Sequence, residues 1–481
     1  MWGPARPTDS KLRLQASKFS DTRRNGRHQH VFLDPLLKSE AGRVILLPVD
    51  ISSEVCGVHF RNPFVLSSAT PTKTALNIAK GIEAGWAGAV MKTLVPLEYA
   101  RVYPRPRFKI YWLKDQGAYP KIVPRSLSIT DIEEGSHLTP EDYTRELDEA
   151  KKAVGDKGVI IGSITAADIE TWERYIDLIN GSRADMVELN FSCPYAGEPG
   201  TEKKGEKLGW TLMYMAEEVI RLAKNKCAIP FSPKISSQTG EVDEWATKFE
   251  AAGSPCLTLS HRISTLDIDI DAARPVPFGC IVGFGGPYLV GYSLKWIAKA
   301  APRVNVPIMA CMGMFDWSDA IKYVMVGAST IQSCSAVMVQ GYDVVKPWLA
   351  MISKFMQEHS YSSIAEMKGA ALKHIIPPTM VERGNEGIYA VVDPAKCTGC
   401  GICKRCCFYF AIEISQGEAV VDLKKCDGCG LCQEVCPEDA IAAKKLTERD
   451  LYPRPGSRPY HKHYLPKVDS KQEPICGLSE E

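Results

Sequence analysis

From residue 52 to about residue 359, short apolar runs alternate with amphipathic stretches. The runs at 64–68, 88–93, 159–164, 186–190, 231–235, 256–260, 306–311 and 329–334 are apolar at successive positions, which fits parallel strands buried on both faces. Between and after them, residues 75–84, 141–154, 169–179, 211–224, 242–252, 293–300, 317–326 and a long stretch ending near 359 carry apolar residues at helical spacing. Strand and helix in strict alternation over this length predict an α/β fold, a closed (β/α)8 TIM barrel over residues 51–360, with a doubly wound open sheet as the competing arrangement.

Two segments break the rhythm. Residues 96–139 are rich in Pro, Arg and aromatics (Tyr99, Arg101, Tyr103, Arg107, Tyr111, Trp112), and long insertions of this kind build the active-site face of a barrel or an interface. Residues 194–209 are rich in Gly, Lys and Glu and directly follow a strand end; they read either as a mobile loop over the site or as a solvated surface loop. Outside the barrel the pattern predicts an arm over 1–50, a linker over 361–386 containing Pro377-Pro378, a small α+β domain over 387–445, and a Pro- and His-rich tail over 446–481.

Composition narrows the function classes. Lys plus Arg is 58 and Asp plus Glu is 57, giving a net charge of +1, so bulk charge calls for neither nucleic acid nor an anionic membrane as partner. The first 25 residues are polar and basic and lack the apolar core of a secretory signal, and no apolar run is long enough to span a bilayer. The expected compartment is the cytosol.

Of the 17 cysteines, nine fall between Cys397 and Cys436. Cys397, Cys400, Cys403 and Cys407 are spaced C-x2-C-x2-C-x3-C; Cys426, Cys429, Cys432 and Cys436 repeat the spacing and end in Pro437. This doubled run matches that of two-cluster ferredoxins, in which the fourth cysteine of each run serves the other cluster. Cys397, Cys400, Cys403 and Cys436 are therefore expected to hold one 4Fe-4S cluster, and Cys407, Cys426, Cys429 and Cys432 the second. A pair of zinc knuckles is the alternative. Cys406 lies beside Cys407 as a second candidate ligand, and Phe408 stands where proline is usual. Apolar residues at Ile388, Val391, Ile402, Ile412, Ile414 and Val421 are expected to pack a small two-fold core. Two clusters conduct single electrons, so the barrel beside them is expected to carry a two-electron centre such as a flavin.

The barrel resembles the dihydroorotate and dihydropyrimidine dehydrogenase family from about Val55 to Pro437. The resemblance rests on Phe64-Val65-Leu66-Ser67-Ser68-Ala69-Thr70, Ala84-Gly85-Trp86, Lys92-Thr93, Glu188-Leu189-Asn190-Phe191-Ser192-Cys193-Pro194, Pro233-Lys234, Met312-Gly313 and Cys334-Ser335-Ala336. It implies an iron–sulfur flavoprotein oxidoreductase acting on a CH–CH bond, with FMN on the barrel. By this resemblance Ala69 and Thr70 line the flavin, Lys92 with Thr93 meets its N1/O2 edge, Lys234 contacts the ribityl chain or ring, and Asn190 sits near flavin and substrate. Gly286 and Gly313, with the backbone of Cys334 and Ser335, cradle the phosphate. It further implies a small-molecule substrate and allows a homodimer.

The chain departs from the family at two places. The family draws its proton from a Cys or Ser on the loop after the Glu-Leu-Asn strand; the matching loop, residues 195–210, holds neither, and Leu208 falls nearest the position. After the sixth strand the family has an Asn-Thr pair, whereas this chain reads Ser260-His261-Arg262. His261 is then either a general acid or a hydrogen-bonded structural histidine, with Asn190 the remaining candidate catalytic residue. No G-x-G-x-x-G opens a helix after a strand, so nicotinamide binding is expected on an FAD- or NAD(P)H-binding or ferredoxin-type partner. The competing function is an electron-transfer subunit of a larger redox complex acting on a non-pyrimidine substrate.

Overall fold

The computed structural model describes residues 48–96, 105–112, 125–133, 135–192, 215–276, 279–381 and 387–445. The arm through residue 47, the loop of residues 193–214 with the Leu208 position, and the tail from 446 lie outside the described residues. Two compact units divide between Ile375 and Ile376.

The first unit is a closed barrel of eight parallel strands: β1 (Phe64–Leu66), β2 (Gly88–Val90), β3 (Val159–Ile164), β4 (Met186–Asn190), β5 (Phe231–Ile235), β6 (Leu257–Leu259), β7 (Ile308–Ala310) and β8 (Ala328–Ser333). They pair in sequence order, and β8 closes onto β1 through Ile331 opposite Phe64. All eight coincide with the expected apolar runs, which excludes the open sheet. Val55 and Phe60, on an antiparallel hairpin of Ser53–Val55 and Val58–Phe60, pack with Val65, Val90, Ile161 and Met186 inside the barrel.

The outer helices follow from spacing and caps. In Pro140–Val154 the buried residues are Tyr143, Leu147, Ala150 and Val154, one stripe of the helix. Thr139 caps it by accepting from the Asp142 N–H, Pro140 occupies a first-turn position where its missing N–H costs nothing, and acids lead while lysines end it. Thr74 and Asp168 cap Ala75–Ala84 and Ile169–Asn180 in the same way. The expected long helix after β8 is two helices, Ser335–Gln340 and Val345–Glu358, separated at Gly341 with φ +83°.

The two excursions from the barrel join each other. Strands Phe108–Trp112 and Leu127–Asp131, from the insertion after β2, form one four-stranded antiparallel sheet with Val282–Gly285 and Ile263–Thr265, which follow β6. Gly283-Phe284-Gly285 is thus an insertion strand. The expected linker is also corrected in its first half. Asp50 bridges to Ser363, and Ile364 and Met367 of helix Ile364–Met367 are buried in the barrel's core, so residues 361–375 belong to the barrel unit.

The second unit is an internal duplicate. Strand Ile388–Val392 pairs with Ile441–Lys445, Ile412–Ser415 pairs with Glu418–Val421, and short helices Ile402–Arg405 and Leu431–Glu434 sit at matching places. Ala390, Ile412, Ala419 and Ile441 form its core with the cysteines. Val392, rather than Val391, joins that core, and Ile388 is exposed at the strand end. The turns after the two fourth cysteines also match: Phe410 and Asp439 both take positive φ, 54° and 48°.

Candidate active site and cluster-binding domain

The carboxyl ends of the barrel strands and the inserted sheet enclose one cleft of about 1060 Å3, counted to its open mouth. Ser67, Ser68 and Ala69 reach it from β1, Lys92 and Thr93 from β2, Thr165 from β3 and Asn190 from β4. His261 and Arg262 follow β6, Cys311 to Met314 follow β7, and Gln332 to Ser335 come from β8 and its helix. Ile129, Asp131, Glu133, Gly135 and Gly285 are contributed by the insertions. Strand ends meet here because parallel strands all point one way, and the loops that follow them share a single face.

Most of the expected site residues converge: Ala69, Lys92, Thr93, Asn190, His261, Gly313, Cys334 and Ser335 all line the cleft. Three stand back from it. Thr70 donates its hydroxyl to Glu133. Lys234 lies beneath the floor, its Nζ bonded to Glu188 Oε1 at 3.3 Å and Gln332 Oε1 at 3.0 Å. Gly286 is a glycine for packing reasons: its φ is +131° and a Cβ would come within 2.9 Å of the Leu127 carbonyl oxygen. Gly285 is the cleft residue beside it. Gly313, at φ +81°, abuts the start of helix Val290–Ala300 so closely that a Cβ would lie 2.6 Å from the Val290 nitrogen.

A chain of side chains fixes the floor. Asn190 Nδ2 donates to Thr93 Oγ1 at 3.0 Å, while its Oδ1 accepts from the Ser192 N–H at 3.0 Å and the Ser192 hydroxyl at 2.6 Å. Thr93 is within 2.9 Å of Ser163, which donates to Glu188 at 3.4 Å. Gln332 Nε2 donates to Glu188 Oε2 at 2.8 Å, and Ser67 donates to Gln332 at 3.1 Å. The Asn190 amide is therefore locked in one orientation.

The roof is charged. Glu133, 4% exposed, pairs with Lys92 at 3.5 Å and Arg107 at 2.6 Å. Burial works against its charge, but Lys92, Thr70 and Arg107 together hold the carboxyl below the usual range. Burial draws Lys92 down against the pull of Glu133. Lys234 is raised: burial opposes its charge, and Cys311 and Glu188 outweigh it. Arg262 pairs with Asp131 and donates to the Glu133 carbonyl at 2.7 Å. His261 is pushed well below its ordinary pKa by burial, with Lys234 and Arg262 adding repulsion, so its imidazole enters the cleft neutral. Burial lifts the Cys334 thiol to about 12, keeping it protonated.

Sequence reasoning did not single out Glu133, Asp131, Glu188 or Gln332. Glu188 stood inside the quoted Glu-Leu-Asn motif, where a carboxylate on a two-face-buried strand is itself a signal that a buried cation must accompany it.

In the second unit the thiols divide as their spacing predicts. Cys397, Cys400, Cys403 and Cys436 surround one hollow; Cys407, Cys426, Cys429 and Cys432 surround another, which Cys406 also lines. Cys397, Cys407 and Cys436 each accept a backbone N–H, from Ala419, Ala411 and Ala440, at 3.3 Å, and Cys426 accepts from Ala390 at 3.5 Å. Gly399 and Gly428 hold equivalent turns at positive φ. A Cβ would fall 2.2 Å from the Gly417 oxygen and 2.4 Å from the Ile388 oxygen. Four thiolate donors around each hollow suit a four-iron cube. At the cleft, Thr165 Oγ1 and His261 Nδ1 are buried without partners among the described residues, as fits walls built around a polar cofactor.

A parallel barrel with its cleft at the strand ends, joined in one chain to a duplicated eight-thiol unit, defines an iron–sulfur flavoprotein oxidoreductase. The chain belongs to the dihydroorotate dehydrogenase family, whose model matches residues 50–356; a 4Fe-4S binding domain model matches residues 419–442. FMN and 4Fe-4S clusters are its cofactors, and CH–CH groups are what its family oxidises or reduces. It is 28% identical over 371 residues to the NAD-dependent dihydropyrimidine dehydrogenase subunit PreA of Escherichia coli (strain K12), covering 76% of this chain and 86% of that protein. It is 27% identical to the chloroplastic dihydropyrimidine dehydrogenase (NADP(+)) of Arabidopsis thaliana, over 70% of this chain and 81% of that one. The dihydroorotate dehydrogenase B (NAD(+)) catalytic subunit of Pyrococcus abyssi (strain GE5 / Orsay) is 26% identical, over 66% of this chain and 97% of that one. Among the described residues no helix is long and apolar enough to cross a membrane.

Proposed function

We propose that this chain interconverts a dihydropyrimidine-like substrate and its unsaturated form, with electrons relayed through two 4Fe-4S clusters to or from a nicotinamide-handling partner subunit. The observation that carries the reading is the convergence of Lys92, Thr93 and Asn190 on one cleft with the Gly313 and Cys334-Ser335 turns. FMN supplies hydride chemistry and converts it to single-electron steps.

The chain's own residues do the rest. The first-turn N–H groups of Ser335–Gln340 and the Gly313 turn are suited to a phosphate. Lys92, held by Glu133, offers a cation at the cleft wall, and Lys234 supports the floor through Gln332. Asn190, locked by Thr93 and Ser192, orients a substrate amide. His261, being neutral, serves as a hydrogen-bonding group; to deliver a proton as imidazolium it would first have to charge, which its surroundings oppose.

Two relatives are named as subunits of NAD-dependent enzymes, and this chain lacks a dinucleotide fingerprint, which supports a separate nicotinamide-binding partner. The absence of Cys and Ser from residues 195–210 favours a second reading, an electron-transfer subunit whose substrate is not a pyrimidine. Anaerobic addition of dihydrouracil to the purified protein, followed in the visible spectrum, separates the two. Bleaching of the flavin and cluster bands is expected; a protein that dithionite reduces and dihydrouracil does not would sink the pyrimidine reading.

A further inference from the structure

Each carboxylate around the cleft is held by at least one cation. Arg262 is bonded to Asp131, which also accepts the Glu133 N–H at 3.1 Å. Lys92 and Arg107 share Glu133, and Lys234 is bonded to Glu188 beneath the floor. Asp131 and Glu133 are both buried, and both lie on the cleft wall. A carboxylate entering here would have to take Arg262 from Asp131, or Lys92 from Glu133. The first exchange leaves Asp131 buried without its counter-ion, and breaking a buried pair from one side is strongly unfavourable; Glu133 would keep Arg107. A neutral ring meets no such obstacle. Carboxylates only accept hydrogen bonds, so Asp131 and Glu133 favour a ligand that presents N–H or O–H donors.

We infer that the Asp131–Arg262 pair is a specificity element that excludes carboxylate-bearing substrates and selects neutral rings carrying N–H or O–H donors. The inference rests on the proposed reading of this cleft as the substrate site. It separates the two chemistries found among the relatives, since dihydroorotate carries a carboxylate and a simple dihydropyrimidine does not. Glu133 alone would not do this, because its charge is already shared between two cations.

The test is equilibrium binding to the oxidised holoenzyme, read as perturbation of the flavin's visible spectrum, with no turnover required. Uracil and orotate are the first probes, the same ring without and with a carboxylate; acetate is the ring-free carboxylate. The wild-type protein is expected to bind orotate more weakly than uracil and to ignore acetate. Asp131→Asn, which removes the negative charge opposite Arg262, is expected to bind orotate or acetate at least about tenfold more tightly than wild type. The double variant D131N/R262Q is expected to lose that gain, with flavin and iron contents reporting that each variant is folded. Wild-type protein that binds orotate as well as uracil overturns the inference without any variant. So does Asp131→Asn that gains nothing for either carboxylate, or a gain that survives removal of Arg262. Failure of dihydrouracil to bleach the enzyme, by contrast, bears on the proposed reaction and leaves these binding outcomes readable.

Discussion

Lys234 and Glu188 meet at 3.3 Å inside the barrel, each side chain no more than 2% exposed. Gln332 spans them, accepting from Lys234 at 3.0 Å and donating to Glu188 at 2.8 Å. Truncating one partner of a buried pair leaves the other charged and unpaired, at a cost of about 3–5 kcal/mol. Glu188→Gln and Lys234→Met are each expected to lower the melting temperature of the barrel unit and to release FMN during purification. The double variant is expected to melt above either single one, because neither charge is then left buried without its partner. Calorimetry and flavin content check both points; strict additivity would show that the two residues do not act as a pair.

Glu133 gives the barrel an acid-sensitive contact. Its folded-state pKa lies below the ordinary value of 4.5, so the unfolded chain takes up the proton first as pH falls. The stability it supplies is fully present above that value and is lost as pH drops through the depressed folded one. Glu133→Gln is expected to be less stable than wild type at pH 7, with the gap narrowing below about pH 4. Denaturation midpoints at pH 7 and in the acid range measure this. A gap that stays constant would mean that folding does not shift the Glu133 carboxyl.

Cys407 and Cys406 are neighbours with unlike surroundings. Cys407 accepts the Ala411 N–H just as Cys436 accepts that of Ala440, which marks it as the ligand by symmetry. Cys407→Ala is expected to lose roughly four of about eight irons, whereas Cys406→Ala keeps them. Iron analysis of anaerobically purified protein decides. The reverse pattern would shift the ligand by one residue.

Phe410 holds a left-handed backbone with its ring 79% exposed. That conformation costs an L-residue about 1–2 kcal/mol, and an exposed ring returns little of it. Phe410→Gly is expected to raise the stability of the cluster unit by up to about 1 kcal/mol. A destabilised variant would mean that the ring packs usefully where it is.

The barrel was legible because its strands are short runs buried on both faces and lie between helices with visible caps. The cysteine framework was legible because its meaning lies in spacing over a few residues. The inserted sheet was not. Its strands are short, Asp131 pairs with Gly283 across some 150 positions, and no local signal announces such a partner. The same distance hid the roof charges. Glu133 reads as one acid among several until Lys92 and Arg107 arrive from other segments. Gly286 is ambiguous for a different reason: a glycine demanded by close packing and one demanded by a phosphate look alike in sequence.

The duplicated cluster unit has grown apart at its two ends. Where one half carries Phe408-Tyr409-Phe410 after its fourth cysteine, the other carries Pro437-Glu438-Asp439 on the same turn. Each turn adjoins a different hollow, with Tyr409 beside Cys407 and Cys429 and Glu438 beside Cys397 and Cys436. The wire is symmetrical in its metal-binding frame and asymmetrical in its insulation, so its two terminals meet chemically different surroundings, one oily and one water-loving.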